Sequence, residues 1–142
     1  MIAKALCYIT SGEQLLLFRQ PDLPAQGVQV PGGSVEPGEA PAAAALREAR
    51  EETGLSGLQL RDYLGSARYE LKVDVGPPHL RHFFHLSFEG QALTTWSNPG
   101  SRRADGSVVR FELWWEPLRS ERLRLDWEMD VYLAALRRKL GL

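Results

Sequence analysis

The sequence predicts an α+β fold in a single domain that spans residues 1–142. Three observations carry this prediction: a helical segment that begins near Ala40, a second helical segment near the C-terminal end, and extended segments before and between them. A chain of 142 residues is long enough to bury one hydrophobic core, and no internal repeat is visible in it.

Extended segments dominate the residues that precede the first helix. Ile2–Ile9 alternates loosely and ends at a cluster of turn residues, and Leu15–Phe18 follows, so these two segments are expected to pair as a hairpin. Val28–Val30 is a shorter extended piece. Gly32–Gly38 contains three glycines and one proline, which predicts a tight loop.

The first helix has clear signals at both ends. Pro41 suits the first helical turn, where its missing N–H is not needed, and a run of strong helix formers follows it. Gly54 is placed to adopt the left-handed conformation that ends a helix, with Leu55 as the hydrophobic contact after it. A helix is therefore predicted from about Ala40 to Thr53.

The residues after this helix read mainly as strands. Extended segments are predicted at Leu58–Leu64, Ala67–Val75 and Arg81–Glu89. Gly90–Ser107 is polar and rich in Gly, Ser, Asn and Arg, which predicts a long loop. Val108–Trp115 resumes a strand that Pro117 ends.

A second helix is predicted from Asp126, a good N-cap residue, to Leu140. Its apolar residues recur at helical spacing and mark the face expected to dock on the sheet: Met129, Leu133, Leu136 and Leu140.

Composition excludes several classes of function. Net charge is −1, from 17 basic and 18 acidic residues, so the bulk composition offers no basic face for a polymeric nucleic acid. A single nucleotide remains compatible with this balance. Cys7 is the only cysteine, which rules out an intramolecular disulfide and a cysteine-based zinc site. No segment reads as a signal peptide or membrane span, so we expect a cytoplasmic protein without a membrane partner.

Three glutamates of the first helix point to metal chemistry. Glu48, Glu51 and Glu52 are three and four residues apart, so their carboxylates share one helix face and repel one another. A hard divalent cation removes that repulsion, and carboxylate oxygens without imidazole or thiolate partners suit Mg²⁺ or Mn²⁺. Arg47 lies within one turn of Glu51 and can hold a carboxylate bidentately.

The spacing of these residues resembles the signature box of the Nudix hydrolase family. The resemblance runs from Gly33 to Leu55 and fills the seven fixed positions of the box: Gly33, Glu39, Arg47, Glu48, Glu51, Glu52 and Gly54. Two further positions can be compared with the usual pattern of the family. Ala49 stands where the family usually has a larger aliphatic residue, and Glu36 occupies a loop position that many members fill with an acidic residue.

The resemblance implies an α/β/α sandwich with a mixed sheet and an enzyme that hydrolyses a diphosphate linkage by water attack on phosphorus. It implies that Glu48, Glu51 and Glu52 bind the metal, with the carbonyl of Gly32 or Gly33 as a further ligand. Arg47 and Glu39 would form an ion pair that steadies the loop and the helix. The proton acceptor for water would be Glu51, Glu52 or a later glutamate, for which the candidates are Glu112, the preferred one, and Glu116.

Substrate-binding candidates lie outside the box. Trp96 could stack on a base, and Arg102, Arg103 and Arg19 could bind phosphate. The alternative function is a nucleotide-sensing Nudix domain without turnover, although such domains often lose box glutamates. A prenyl diphosphate isomerase shares the fold but relies on a catalytic cysteine. Cys7 lies in the first predicted strand, before the box, and no other cysteine exists, so this alternative is poor. Nucleoside triphosphates, oxidised nucleotides, nucleotide sugars and dinucleoside polyphosphates all stay open as substrates, as does the oligomeric state, a homodimer included.

Overall fold

A computed structural model describes residues 1–71, 76–91, 94–102 and 105–142, with the backbone alone for 100–102. Within these ranges the chain forms seven strands, two α-helices and a 3-10 turn at Pro24–Gln26, and no helix is long and apolar enough to span a membrane. The strands and α-helices, in chain order, are β1 (Ile2–Ser11), β2 (Gln14–Arg19), β3 (Gly32–Ser34), α1 (Pro41–Thr53), β4 (Leu58–Tyr69), β5 (His79–Phe88), β6 (Thr95–Arg102), β7 (Val108–Pro117) and α2 (Leu133–Leu140).

The strands form one mixed sheet. Their order is β4-β5-β1-β2-β7-β6, and β3 pairs with β1 outside this path. β1 runs parallel to β5, whereas the other pairings are antiparallel. The predicted α+β class is therefore confirmed, and so is the hairpin predicted for the first two strands.

Alternate residues of β1 point into two cores on opposite faces of the sheet. The core beneath α1 contains Ala5, Cys7, Ile9, Ala44, Ala45 and Ala49. The core beneath α2 contains Leu6, Tyr8, Leu133 and Leu136. The sheet thus lies between the two helices, in the predicted α/β/α order, and the small alanine side chains allow α1 to pack closely.

β1 and β2 separate beyond their hairpin turn, and residues 28–34 lie between them. Gln29 forms a bridge with Phe18 of β2, while Gly32–Ser34 pairs as β3 with residues 4–6 of β1. The prediction of a loop throughout Gly32–Gly38 was therefore wrong for its first three residues. A Cβ at Gly32 would lie 2.5 Å from the Ala5 carbonyl oxygen, so β3 can pair here because glycine has no side chain.

The predicted first helix is confirmed at both ends. Ala40 is the N-cap residue, and Pro41 occupies the first turn. Gly54 has φ of +72° and its N–H donates to the Arg50 carbonyl, as expected for a left-handed cap. Leu55 packs against the core beneath α1. Local signals therefore set the position of α1 along the chain.

Two predicted strands are one strand in the structure. Leu58–Leu64 and the start of Ala67–Val75 form β4 without a break, and residues 72–75 lie outside the described residues. Gly65 has φ of +142° and lies at an irregularity in the pairing with β5, which lets the strand continue through the irregular step. The segment predicted at Arg81–Glu89 corresponds to β5.

The polar stretch Gly90–Ser107 contains a strand, so the prediction of a long loop was wrong. β6 pairs with β7 at one edge of the sheet, where Trp96 lies opposite Leu113 and Asn98 lies opposite Phe111. Gly, Ser, Asn and Pro disfavour strands by propensity. Pairing with the otherwise open edge of β7 overrides that weak preference.

The second helix begins at Leu133 rather than at Asp126, so its predicted start was also wrong. Trp127 and Glu128 both have φ of +59°, a conformation that an α-helix does not contain. The carboxylate of Asp126 accepts a hydrogen bond from the Val28 N–H at 2.8 Å, and it therefore anchors residues 28–34 instead of capping a helix.

A buried tyrosine of β1 accounts for this delayed start. The hydroxyl of Tyr8 donates to the Met129 carbonyl at 2.5 Å and accepts from the Tyr132 N–H at 3.2 Å, so it uses backbone groups that a longer helix would have paired internally. The predicted apolar stripe is nevertheless confirmed, because its four residues pack in the core beneath α2: Met129, Leu133, Leu136 and Leu140.

We expect Tyr8→Phe to lower the free energy of unfolding by about 1–3 kcal/mol, because the Met129 carbonyl and the Tyr132 N–H would lose a buried partner. Urea unfolding followed by circular dichroism measures the change. Tyr132→Phe is the matched control, since its hydroxyl donates to the Ser66 carbonyl in exposed surroundings and its loss should cost less. A Tyr8→Phe variant as stable as wild type would contradict this account.

Candidate active site

The three glutamates of α1 line one pocket, as their spacing predicted. Glu48, Glu51 and Glu52 face a cavity of about 560 Å³, which we call the carboxylate pocket. Its other walls come from strands β1, β2, β6 and β7, from residues 28–34 and from the segment before α2: Leu6, Phe18, Gln20, Gln29, Val30, Gly32, Pro99, Phe111 and Met129. The pocket therefore opens where β1 and β2 separate.

Two glycines of β3 lie directly against the carboxylates. A Cβ built on Gly33 would come within 2.3 Å of Glu48 Cδ, so no other residue fits this position without displacing the carboxylate. The N–H of Gly32 donates to Glu52 Oε1 at 3.2 Å. The glycines thus let the backbone approach the glutamates as closely as a hydrogen bond requires.

Arg47 forms the predicted ion pair with Glu39. Its Nε and Nη2 donate to the two oxygens of Glu39 at 2.8 and 2.9 Å, and Nη2 also donates to the Ser34 carbonyl at 3.0 Å. The hydrogen bonds from Arg47, helped by the N–H of Glu36, lower the pKa of Glu39 to about 2. This bidentate contact ties α1 to the end of β3 and to the loop after it.

The same guanidinium also contacts the carboxylate pocket. Nη1 of Arg47 donates to Glu48 Oε1 at 2.9 Å and stands 3.6 Å from Glu51 Oε2. Hydrogen bonds to Glu39, and then to Glu48, raise the pKa of Arg47 above its already high value, so the side chain stays charged. Arg47 is therefore a positive charge that partly offsets the glutamates.

Glu52 carries its carboxylate in buried surroundings, although the residue as a whole is partly accessible. Burial raises the pKa of Glu52 well above its ordinary value, and the charge of Glu48 raises it further. The hydrogen bond from the Gly32 N–H acts in the opposite direction but does not cancel the shift. Burial and the neighbouring Glu48 therefore disfavour a negative charge on Glu52.

The donor set suits a hard divalent cation, because it consists of carboxylate and carbonyl oxygens. In the described part of the chain, however, no three His, Cys, Asp or Glu side chains are grouped closely enough to hold a metal ion. The contacts of Arg47 with Glu48 and Glu51 account for this. The Glu51 side chain lines the pocket and is 58% exposed, so it can turn from Arg47 towards the other two carboxylates without disturbing the core. The residues therefore fit a divalent ion, provided that Glu51 reorients.

Three predicted residues do not line this pocket: Arg19, Glu112 and Glu116. Glu112 points to the opposite face of β7 from Phe111, which lines the pocket. Its Oε1 accepts hydrogen bonds from Arg19 Nη2 at 2.6 Å and Nε at 3.2 Å. Glu116 accepts the indole N–H of Trp114 at 3.2 Å. The structure therefore pairs Arg19 with Glu112 and does not bring either of them to the α1 carboxylates.

Strand β6 supports the C-terminal end of α1. The indole N–H of Trp96 donates to the Thr53 carbonyl at 2.9 Å, and the amide of Asn98 donates to the carbonyls of Glu51 and Glu52, each at 2.9 Å. These carbonyls lack partners within the helix. Trp96 thus packs against the protein rather than facing the carboxylate pocket, and the side chain of Arg102, like the whole of Arg103, lies outside the described residues.

Sequence reasoning missed Asn98 and also a basic pocket beside the carboxylates. Asn98 precedes a proline in a polar stretch and was interpreted as part of a loop, because nothing local indicates that it reaches α1. Lys4 and Arg81 line the second pocket and lie opposite each other in the parallel pairing of β1 and β5. The signal for this pair is the strand register, which the sequence does not provide.

Comparison with known proteins identifies the family. A family model described as the NUDIX domain matches residues 2–136. An RNA pyrophosphohydrolase of Brucella ovis is 34% identical over 104 residues, which cover 63% of this chain and 54% of that protein. The chain therefore spans about half the length of the curated relatives that it matches.

Solved structures share the fold. A binary complex of the C. elegans Ap4A hydrolase superposes with a TM-score of 0.70 at 21% identity and covers 99% of this chain and 98% of its own. A MutT NUDIX hydrolase from Burkholderia pseudomallei gives a TM-score of 0.64 at 22% identity, with 94% and 95% of the two chains covered. At these identities the likeness concerns the fold alone.

We expect Glu52→Gln to stabilise the chelator-treated protein at pH 7.5, because the amide keeps the acceptor for the Gly32 N–H and removes a buried charge. When folding raises the pKa of a carboxyl, the protein loses stability as the pH rises above the pKa of that carboxyl in the unfolded chain, which is near 4.3. The gain should therefore be small at pH 4 and should exceed, at pH 7.5, the roughly 0.5 kcal/mol typical of surface changes.

Urea unfolding at a series of pH values measures this difference. Glu51→Gln is the matched control, because it removes the same charge from an exposed side chain and should change the stability little. If the two substitutions changed the free energy of unfolding equally, or if Glu52→Gln were less stable than wild type at pH 7.5, then burial of the Glu52 charge would not destabilise the folded protein.

Proposed function

This chain belongs to the Nudix family, and we propose that it hydrolyses a phosphoric anhydride by cleaving a diphosphate linkage in a nucleotide or a nucleotide-linked small molecule. The observation that carries the proposal is the convergence of Glu48, Glu51 and Glu52 on one pocket of about 560 Å³. Small-molecule sites typically measure about 300–1,000 Å³. The name of the Brucella ovis relative, an RNA pyrophosphohydrolase, supports the same reaction class.

We propose Mg²⁺ or Mn²⁺ as the cofactor, held by the three glutamates and by the carbonyl of Gly33. When bound, the ion would neutralise phosphate oxygens and favour attack of water on phosphorus. The chain contributes the placement of the ligands. Arg47 holds Glu48 on one side and Glu39 on the other, so α1 and β3 keep a fixed relation while the substrate binds.

We propose Glu51 as the group that accepts the proton from water, ahead of Glu52 and Glu112. A general base must reach the proton that it removes. The Glu51 side chain lines the pocket and is 58% exposed, so water reaches it. The carboxylate of Glu52 is buried against Gly32, and Glu112 accepts two hydrogen bonds from Arg19 outside the pocket.

Hydrolysis assays on a panel of candidate substrates test which class of compound the protein cleaves. Nucleoside triphosphates, oxidised nucleotides, nucleotide sugars and dinucleoside polyphosphates belong on it. RNA belongs there too, because the curated relative is named for it. The balanced net charge still leads us to expect a small nucleotide rather than a polymer. The alternative to an enzyme is a domain that binds such a compound without turnover.

We expect hydrolysis of at least one member of the panel with Mg²⁺ or Mn²⁺ and its loss when the ion is chelated, because the glutamates alone would repel a phosphate. Chromatographic analysis of the products measures both and identifies whether phosphate, diphosphate or a nucleoside monophosphate is released. Tight binding of one compound without turnover of any would favour the sensing domain instead.

We expect Glu51→Gln and Glu52→Gln to lower kcat by several orders of magnitude while the variants stay folded, because both carboxylates act mainly on the transition state. Steady-state kinetics on the best substrate of the panel, with circular dichroism as the test of folding, measure this. Glu112→Gln is the matched control and should keep a kcat close to that of the wild type. A large loss in Glu112→Gln with little change in Glu51→Gln would move the proton acceptor to β7.

A further inference from the structure

A second pocket, with basic and aromatic walls, lies on the sheet face opposite α1. It measures about 480 Å³, and we call it the basic pocket, defined by Lys4, Tyr69, His79, Arg81 and Trp127. Lys4 and Arg81 sit side by side on β1 and β5, and Tyr69 and His79 are paired across β4 and β5. Three strands therefore present these side chains to one cavity.

The basic pocket adjoins the carboxylate pocket. The two cavities have four lining residues in common: Leu6, Gln29, Gly32 and Met129. β3 lies at their junction, since Gly33 lines the basic pocket while Glu48 lies against its Cα. The two cavities therefore adjoin at β3.

Arg81 is a buried cation. The residue is 6% exposed, and its guanidinium lies 3.7 Å from the centroid of the Tyr69 ring and donates to the Trp127 carbonyl. Burial lowers the pKa of Arg81, although the neighbouring Tyr69 and Glu128 act against this. A guanidinium stays charged in a protein. Among the described residues, the Tyr69 ring and the Trp127 carbonyl lie against the guanidinium and Glu128 acts on it from further away, so a bound anion would add to the compensation of a buried cation.

Lys4 places a second cation towards the carboxylates. Its Nζ donates to Ser34 Oγ at 2.8 Å, at the end of β3. Ser34 follows Gly33, and the Glu48 carboxyl lies against Gly33, so the ammonium stands near the edge of the carboxylate pocket. Burial lowers the pKa of Lys4, and the charges of Glu48 and Glu52 oppose that shift. Burial and the two cations lower the pKa of His79, which leaves its ring neutral at pH 7.

We infer that the basic pocket binds a phosphoryl group beyond the linkage that is cleaved, so that preferred substrates carry three or more consecutive phosphates. This inference rests on the proposed function and specifies its substrate class. A chain of phosphates can meet the divalent ion beside the glutamates and the cations of Lys4 and Arg81 at its further end. A nucleotide sugar has two phosphates and would place an uncharged sugar against the buried guanidinium, which is the less favourable pairing.

The test compares kcat/KM for a nucleoside triphosphate and a nucleotide sugar, with Mg²⁺, in wild type and variants. Lys4→Met removes the charge and keeps the length of the side chain, and it should lower kcat/KM for the triphosphate by about ten- to a hundredfold, as expected for one charged hydrogen bond. The value for the nucleotide sugar should change little. Lys4→Arg should retain most of the preference.

Arg119→Gln is the matched control. It also removes one positive charge, but Arg119 pairs with Glu13 at the β1–β2 hairpin, away from both pockets. The preference for the triphosphate should survive in this variant. Equal losses in Lys4→Met and Arg119→Gln would mean that net charge, rather than the basic pocket, sets the preference, and this would overturn the inference.

Binding of inorganic triphosphate, measured by calorimetry without a divalent ion, separates the inference from the proposed function. We expect Lys4→Met and Arg81→Met to weaken this binding about tenfold or more, with Lys4→Met sufficient if Arg81→Met does not fold. Unchanged binding and an unchanged substrate ratio would overturn the inference and leave the hydrolase intact. Binding that depends on Lys4, together with no hydrolysis of any anhydride, would overturn the hydrolase and keep the anion site.

Discussion

The close approach of the Gly32 and Gly33 backbone to its neighbours on two sides is the constraint on which the site depends. Gly32 lies against β1, where the Ala5 carbonyl leaves no room for a Cβ. Gly33 lies against the Glu48 carboxylate, which also leaves no room for a Cβ. This approach lets β3 pair with β1 and lets the Gly32 N–H reach Glu52. A larger residue at Gly32 would push β3 away from β1, and one at Gly33 would displace the Glu48 carboxylate.

Arg47 makes the crowding of like charges tolerable. Glu39, Glu48 and Glu51 all lie within 4 Å of its guanidinium, so one cation neutralises part of the charge of several carboxylates. The contacts of Arg47 with Glu48 and Glu51 also compete with metal binding, since a divalent ion would need the same carboxylate oxygens. Binding of an ion at the proposed site would replace a protein cation at Glu51, while Glu39 would keep its own pair with Arg47 and hold α1 in place.

Sequence signals were sufficient where structure is local. The Pro41 and Gly54 signals and the helical spacing fixed α1, and with it the convergence of the glutamates, because neighbours within one turn decide those contacts. They failed where a distant partner decides. The composition of β6 does not predict a strand, and this strand forms because it pairs with the edge of β7. Helix α2 starts late because Tyr8 binds backbone groups that lie far along the chain. The same reason explains why the sequence did not indicate the roles of Asn98, Lys4 and Arg81. Strand register brings these residues to their partners, and the sequence does not provide that register.

The junction of two pockets of opposite charge explains how one fold can select among anions. The carboxylate pocket repels every phosphate until a divalent ion is present, so it cannot discriminate between a short and a long phosphate chain by attraction alone. Arg81 can, because burial of its charge costs free energy that a bound anion partly recovers. Its stacking on Tyr69 fixes the guanidinium before any ligand arrives, which limits the entropy lost on binding. Selection by the length of the phosphate chain then follows from strand register, a feature separate from the helix that carries the glutamates.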